Sequence, residues 1–118
     1  MPINEWSDDI LIAELSDEPS FSEEFNVLMK RLESRGSTPP DVIVDLKDVT
    51  FLNSSNIAQL LRLRQVLLNA NRRLRICSAR DPVWSMLLIT GLDKVFDFVD
   101  DVATSLASLQ IEEEVGEE

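Results

Sequence analysis

Short apolar runs alternate along the chain with longer segments of helical periodicity, and this alternation limits the fold more than any other feature of the sequence. The run DVIVDL, residues 41–46, has the length and the β-branched content of a buried strand. By contrast, Phe21, Phe25, Leu28 and Leu32 recur at the spacing of one helical face. The predicted order of elements is ββαβαβαβα, which is typical of α/β proteins whose strands pair mostly in parallel. We therefore predict a mixed sheet of about five strands, beginning with an N-terminal hairpin, and four helices.

Particular residues mark the ends of the predicted helices. Ser20 and Glu23 have the S-x-x-E spacing of a capping box, which predicts that Ser20 caps the first helix. Asp81 is the predicted cap of the third helix, because the proline after it suits a first helical turn. Gly36 and Gly91 follow these two helices, at a position where glycine is favoured because it readily adopts a left-handed conformation.

The length of 118 residues fits one domain of the commonest size. We predict that residues 1–110 form this domain. Residues 111–118, IEEEVGEE, are rich in acidic side chains and poor in apolar ones, so we expect them to form a disordered tail.

Composition excludes several classes of function. The absence of histidine rules out a Ser-His-Asp triad and a histidine-ligated zinc site, and the single cysteine, Cys77, rules out an intramolecular disulfide. We expect Cys77 to be a buried, inert thiol. The net charge of −11 argues against nucleic acid as a partner, because its phosphates would be repelled. Composition does not exclude carboxylate-bound Mg²⁺.

The sequence also bears on location. No apolar run approaches the roughly 18 residues of a membrane span. The N-terminus, MPINEWSDDI, lacks the basic and apolar regions of a signal peptide. We therefore expect a cytoplasmic protein that does not insert into membranes.

The basic residues are unevenly distributed. Between Ser54 and Arg80 there are six arginines and no acidic residue. These arginines would face an anionic partner or, in the interpretation that we favour, pair with the protein's own acids. Arg64 falls within the apolar arc of the second helix, and a buried unpaired charge is costly. We therefore expect its guanidinium to reach solvent or to pair with an acid.

The segment TFLNSSNIAQLL, residues 50–61, combines the end of a strand with the start of a helix. Asn53 is a competent N-cap, because its side-chain oxygen can accept from N–H groups one turn ahead. Ser54 then occupies the first helical position. A phosphate on Ser54 would meet free N–H groups and the positive end of the helix dipole. The corner is therefore a candidate phosphorylation site as well as a cap.

A phosphoacceptor aspartate is a competing hypothesis, because Asp45 lies near the end of a strand as in receiver domains. Such domains also need an acidic pair after the first core strand and a lysine after a later strand. Asp17 and Glu18 match the acidic pair only loosely, and residues 73–80 contain no lysine. We therefore interpret Asp45 as structural.

Three segments resemble the STAS domain of the anti-sigma factor antagonist type. They are VIVDLKDVTFLNSSNIAQLL, RRLRICSARDPVWSMLLITGL and KVFDFVDDVATSLASL, and the resemblance runs from about Ile10 to Leu109. It implies a bacterial regulator of transcription that binds an anti-sigma factor, itself a serine kinase. It also implies a switch without enzymatic activity of its own, and we expect no cofactor and no metal site. In this family phosphorylation of a serine at the corner breaks the interaction, and a phosphatase restores it.

The same resemblance assigns residues. The phosphoacceptor falls on Ser54, with Ser55 as the alternative, and the partner surface includes Asn53, Ser54, Ser55 and Asn56. The family commonly has aspartate in place of Asn53 and glycine in place of Asn56.

Two further features concern surfaces and rival functions. The third helix is apolar nearly all round, so it is either deeply buried or presents a patch in which Trp84 and Leu88 contact a partner. The first rival function is an unphosphorylated STAS subunit or scaffold of a larger assembly, such as a lipid-transport ABC complex or a stress-signalling particle. The second is a small-ligand or nucleotide-binding STAS module, although three glycines provide no glycine-rich phosphate loop.

Overall fold

The computed structural model describes the backbone of residues 2–116 and the side chains of residues 2–111. Within that part of the chain the elements follow the predicted order ββαβαβαβα, which confirms the predicted fold class. The elements are β1 (Ile3–Glu5), β2 (Ile10–Ser16), α1 (Ser20–Ser34), β3 (Asp41–Asp48), α2 (Ser54–Asn69), β4 (Leu74–Cys77), α3 (Asp81–Thr90), a 3₁₀ turn (Leu92–Lys94), β5 (Phe98–Val99) and α4 (Val102–Gly116).

The strands form one sheet in the order β1-β2-β3-β4-β5. β1 and β2 make the predicted hairpin, in which Ile3 pairs with Ala13 in antiparallel fashion. β2, β3, β4 and β5 are parallel to their neighbours. The sheet is therefore mixed, and the carboxyl ends of its four parallel strands lie along one edge.

The sheet has helices on both faces. One face packs against α1, α2 and α3, which supply Phe21, Phe25, Leu63 and Leu87 to the larger core cluster. The other face packs against α4, which contributes Leu109 to a smaller cluster that also contains Ile10, Ile12, Ile43 and Cys77. Cys77 is buried as predicted, and burial raises the pKa of its thiol, so the unreactive protonated form is favoured.

The predicted caps of α1 and α3 are wrong by one residue. Both helices begin one residue earlier than expected, so Ser20 and Asp81 are first helical residues, and neither N-cap makes a side-chain capping bond. The glycines were predicted correctly. Gly36 and Gly91 have φ angles of +62° and +77° and end their helices in the left-handed region.

The C-terminal elements differ in length from the predictions. The segment KVFDFV forms a strand only at Phe98–Val99, because Lys94 belongs to the 3₁₀ turn. α4 continues through residues 111–116, part of the segment expected to be disordered. Glutamate has a high helix propensity, and neither glycine nor proline interrupts the segment before Gly116. The boundary between domain and tail stays a prediction, and residues 117 and 118 lie outside the described residues.

Asp45 has the structural role expected of it. Its buried carboxylate accepts a hydrogen bond from the backbone N–H of Lys47 at 3.0 Å, and the Lys47 ammonium lies 3.8 Å from its other oxygen. These contacts satisfy a buried charge at the end of β3.

Candidate functional site: the corner between β3 and α2

The corner is shaped by two asparagines that cap each other. The Asn53 side-chain oxygen accepts from the Asn56 backbone N–H at 2.8 Å, and the Asn56 side-chain oxygen accepts from the Asn53 backbone N–H at 3.1 Å. This reciprocal arrangement satisfies two N–H groups at the helix start, and it confirms Asn53 as the N-cap of α2.

Ser54 and Ser55 occupy the first two positions of α2, and both are exposed. Among the described side chains of residues 2–111, neither hydroxyl makes a hydrogen bond, because Asn53 supplies the cap. The backbone N–H groups at these two positions have no partner within the helix, since the first turn of any α-helix lacks acceptors for them. A phosphate at either hydroxyl would therefore lie near free donors and the positive end of the helix dipole.

Asn56 does not belong to the exposed surface. The sequence assigned it to the partner-binding set, but its side chain is only 1% exposed. Its amide nitrogen donates to the Glu18 carboxylate at 3.3 Å and to the Gln59 side-chain oxygen at 3.2 Å. The third residue of α2 points inward, so the Asn56 side chain stabilises the corner from the protein interior and does not face solvent.

These bonds belong to a closed ring of four side chains that joins α1 to α2. Gln59 donates to the Ser22 hydroxyl at 3.2 Å, and Ser22 donates to the Glu18 carboxylate at 2.7 Å. Glu18 also accepts from the Ser22 backbone N–H at 2.8 Å, which supplies the cap that Ser20 does not. Hydrogen bonds from Ser22 and Asn56 lower the pKa of the Glu18 carboxyl.

The residue before Glu18 holds the other side of the corner. The Asp17 carboxylate accepts from the Thr50 hydroxyl at 2.7 Å and from the Thr50 backbone N–H at 2.9 Å. These bonds, with a weaker one from the Phe51 N–H, lower the pKa of the Asp17 carboxyl. Asp17 and Glu18 thus tie the loop after β2 to the loop after β3. In the sequence this acidic pair resembled only loosely the acidic pair of receiver domains.

Phe51 is the surface residue that the sequence interpretation missed. β3 ends at Asp48, so Phe51 lies in the loop that leads to Asn53, and its side chain is 60% exposed. An exposed phenylalanine beside two exposed serines is a candidate contact, because aromatic side chains are enriched at protein interfaces. The sequence signal for this contact was the occurrence of a phenylalanine in a polar loop.

The predicted contacts on α3 divide into two groups. Trp84 is half-buried, and its ring meets Phe98 edge-on with centroids 5.1 Å apart. Leu88 is exposed, as is Ile89 beside it, whereas Val83 and Leu87 are buried. The helix is therefore buried on one side and apolar on the other. Leu88 lies about two turns into α3, which begins at the carboxyl edge of the sheet, so we do not count it as part of the corner.

Among the described side chains, those of residues 2–111, no three cysteine, aspartate or glutamate residues form a cluster with the arrangement of a metal site. Nor is any helix in that range long and apolar enough to cross a bilayer.

The model of the STAS domain family matches residues 2–105. The chain belongs to the STAS family. No curated protein matches its sequence. Among solved structures, a proposed anti-sigma factor antagonist from Thermotoga maritima superimposes with a TM-score of 0.77 at 14% identity, covering 92% of this chain and 93% of that one.

Two further solved structures are similar in fold. An anti-sigma factor antagonist domain protein from Planctomyces limnophilus has a TM-score of 0.77 at 16% identity, covering 92% of this chain and 96% of its own. A sulfate transporter family protein from Wolinella succinogenes has a TM-score of 0.74 at 18% identity, covering 89% of this chain and 88% of its own. At such identities the similarity shows the fold alone.

Proposed function

We propose that this STAS protein is a non-catalytic regulator that binds an anti-sigma factor with serine kinase activity, and that phosphorylation of Ser54 releases the partner. The observation that carries the proposal is that one residue of the corner caps α2 while another is exposed. Asn53 caps α2, which leaves the Ser54 hydroxyl exposed and without an internal hydrogen bond in the described residues. A hydroxyl needed for capping could not be modified without cost to the helix.

Charge explains how the modification would act. Phosphorylation adds roughly −1.5 to −2 charges at a helix start, where negative charge is favoured, so the fold should tolerate it. The outer surface of the corner would change from two neutral hydroxyls beside Phe51 to a dianion. A partner that buries Phe51 against the corner would then have to desolvate this charge, which is costly.

The test has two parts. The protein is incubated with ATP and the candidate kinase, and its intact mass is measured. We expect a gain of one phosphate that is lost in Ser54→Ala and kept in Ser55→Ala, which is the matched control one residue away. Binding of the unmodified partner is then compared for Ser54→Asp and Ser55→Asp, and we expect at least a tenfold loss, about 1.4 kcal/mol, for the first alone. A protein that gains no phosphate and binds fully as Ser54→Asp would contradict the proposal.

A second candidate is a STAS subunit of a larger assembly that works without phosphorylation. It is favoured by the apolar outer side of α3, where Ile89 is 86% exposed and Leu88 lies beside it. The similarity of the fold to a sulfate transporter family protein is also compatible with it. Substituting Leu88 and Ile89 by serine separates the two candidates, because it should abolish association only if α3 is the contact. The Ser54 variants would then associate normally.

A further inference from the structure

The outer edge of β1 borders a groove of about 340 Å³ that lies against α1. β1 is the edge strand of the sheet and pairs only with β2 in the described part of the chain. An unpaired edge offers backbone N–H and C=O groups to another strand, and most proteins cover or protect such edges. The walls of the groove come from β1, the residue before it and α1; they are Pro2, Ile3, Glu23, Glu24, Val27 and Arg31. We call this the β1 groove.

The free backbone groups of β1 follow from its pairing with β2. The Pro2 carbonyl accepts from the Glu14 N–H at 2.6 Å, and opposite residues of an antiparallel pair alternate between bonded and non-bonded positions. Asn4 is therefore bonded to β2, whereas the N–H and C=O groups of Ile3 and Glu5 point away from it. Both backbone groups of these two residues can bond to a further strand.

A second copy of β1 can use all of these groups. In a two-fold arrangement centred on Asn4, Ile3 of each copy lies opposite Glu5 of the other, and each such pair exchanges both of its N–H···O bonds. A two-fold axis through Glu5 would instead place two carboxylates directly opposite each other, which is destabilising. The register centred on Asn4 avoids this repulsion. It also brings Trp6, which is 46% exposed, opposite Pro2 of the second copy.

The exposed side of α1 is also complementary to itself. Glu23, Val27 and Arg31 recur every fourth residue, so they form one line with an acid at one end, an apolar residue in the middle and a base at the other end. Val27 is 46% exposed, and Glu23 has no hydrogen bond or ion pair through its carboxylate among the described side chains. Arg31 lies 3.6 Å from Glu5 in a solvent-accessible pair, which contributes little to stability and can be shared with a second acid.

The direction of α1 fits the same two-fold axis. α1 connects the parallel strands β2 and β3 and therefore runs antiparallel to both, in the direction of β1. Two copies of β1 that pair antiparallel thus place two copies of α1 antiparallel as well. Ile3 shares the groove with Val27, so an axis through Asn4 passes close to Val27. Glu23 of each copy then faces Arg31 of the other, with the two Val27 side chains between them.

The opposite edge of the sheet is less suitable for such pairing. β5 has only two residues, Phe98 and Val99, and the exposed residues Asp97 and Asp100 flank them. Symmetric antiparallel pairing of so short a strand would bring the aspartates of two copies opposite each other, and like charges in that position are destabilising.

We propose that the protein forms a symmetric homodimer through the β1 groove, in which two copies of β1 pair and join the two sheets into one. The occupant is a second copy of this chain because the strand register and the charges of α1 are each self-complementary about a single axis, as an isologous interface requires. An unrelated extended segment would use the same backbone groups, but its recognition would not require an acid and a base at equal distances from Val27.

The interface is separate from the proposed phosphorylation site. Neither Ser54 nor Phe51 lines the β1 groove, so a dimer leaves the corner of each copy open to a partner. Failure of either proposal leaves the other intact, because the gain of phosphate and the mass of the free protein in solution are measured separately.

Association is measured by sedimentation equilibrium of the intact protein over a wide range of concentrations. Physiological ionic strength is used because it screens the general repulsion between two chains of net charge −11. We expect the mass to rise from 13.4 kDa towards twice that value as the concentration increases. In parallel, amide hydrogen exchange at Ile3 and Glu5 should slow with concentration. Asn4 is the internal control, since its N–H already bonds to β2.

Charge variants test the two-fold arrangement. Glu23→Arg and Arg31→Glu should each weaken dimerisation about tenfold, because they place like charges opposite each other. An equal mixture of the two variants should dimerise as tightly as the wild type, since a basic line then faces an acidic one. Val27→Arg should also weaken dimerisation about tenfold. Asn26→Arg is the matched control, because it adds the same charge to the exposed side of α1 outside the groove, and it should leave Kd within about twofold.

Several results would overturn the proposal. A monomer at every concentration would do so, and would leave the edge of β1 to an extended segment of another protein. A dimer that Val27→Arg leaves intact, or a mixture of charge variants that recovers no association, would place the contact elsewhere. The substituted side chains are all at least partly exposed, and an unchanged Tm shows that each variant is folded. The exchange of Ile3 and Glu5 in the wild type tests the same interface without any substitution.

Discussion

At the residue scale, the corner depends on carboxylates that the loop after β2 supplies. Asp17 accepts three hydrogen bonds from Thr50 and Phe51, and Glu18 accepts from Ser22 and Asn56. Both carboxyl groups have lowered pKa values, with the Thr50 hydroxyl as the largest cause for Asp17 and the Ser22 hydroxyl for Glu18. A group with a lowered folded-state pKa stabilises the fold above its unfolded pKa, and this contribution is lost as the pH falls through the folded value.

Asp17→Asn should therefore have a pH-dependent effect. At pH 7 the substitution removes charge-assisted bonds to the corner and should lower the free energy of unfolding by about 1 kcal/mol or less, because Asp17 is partly exposed to solvent. The stabilisation diminishes once the pH falls below the unfolded-state pKa of aspartate, about 4, and is lost through the lowered folded-state pKa, so the two Tm values should approach each other. Thermal unfolding from pH 3 to 7 measures this. Asp8→Asn, in the exposed β1–β2 turn, is the control, and a Tm difference for Asp17→Asn that persists unchanged at pH 3 would contradict the assignment.

Some of the site could be predicted because it depends on neighbours in sequence. Asn53 and the two serines follow from local capping chemistry alone, and the structure confirms the cap. Asn56 and its ring could not be predicted, because its partner Glu18 is 38 residues away and only the pairing of parallel β2 and β3 brings their loops together. A single sequence carries no periodic signal for such a contact.

At the element scale, α3 shows why an apolar helix need not be buried. Its sequence is apolar on nearly every side, so periodicity could not identify the inner face. The structure places Val83 and Leu87 in the core and leaves Leu88 and Ile89 exposed. The strand β5 was predicted to be longer than it is, for a related reason. Phe96 and Phe98 are both apolar, but Phe96 is in the core as part of a turn, not of the strand.

Alanine substitutions on α3 test this orientation. Leu87→Ala should lower the free energy of unfolding by about 2–5 kcal/mol, because it leaves a cavity in the core. Ile89→Ala, two residues away, should change it by no more than about 0.5 kcal/mol. Urea denaturation gives both values. Similar losses at the two positions would mean that Ile89 is covered in solution, and size-exclusion chromatography would then reveal whether a second copy covers it.

At the scale of the whole molecule, the uneven distribution of charge affects stability. The stretch from Ser54 to Arg80 carries six positive charges, and the remainder of the chain therefore carries −17. Asp41 brings two of these arginines to the start of β3, and Asp97 brings a third to the segment before β5. These attractive pairs are partly buried and only weakly screened by salt, whereas the repulsion among the other acids is exposed and strongly screened.

Salt should therefore stabilise this protein at neutral pH. Raising NaCl from about 10 mM to about 150 mM shortens the Debye length from roughly 30 Å to roughly 8 Å, which weakens the surface repulsion more than the pairs around Asp41. We expect Tm at pH 7 to rise by a few degrees, equivalent to about 1 kcal/mol or less. Near pH 4.3, the isoelectric point of the sequence, the net repulsion vanishes and the same salt series should leave Tm almost unchanged. A fall in Tm with salt at pH 7 would show instead that the arginine–aspartate pairs dominate the electrostatic free energy of the fold.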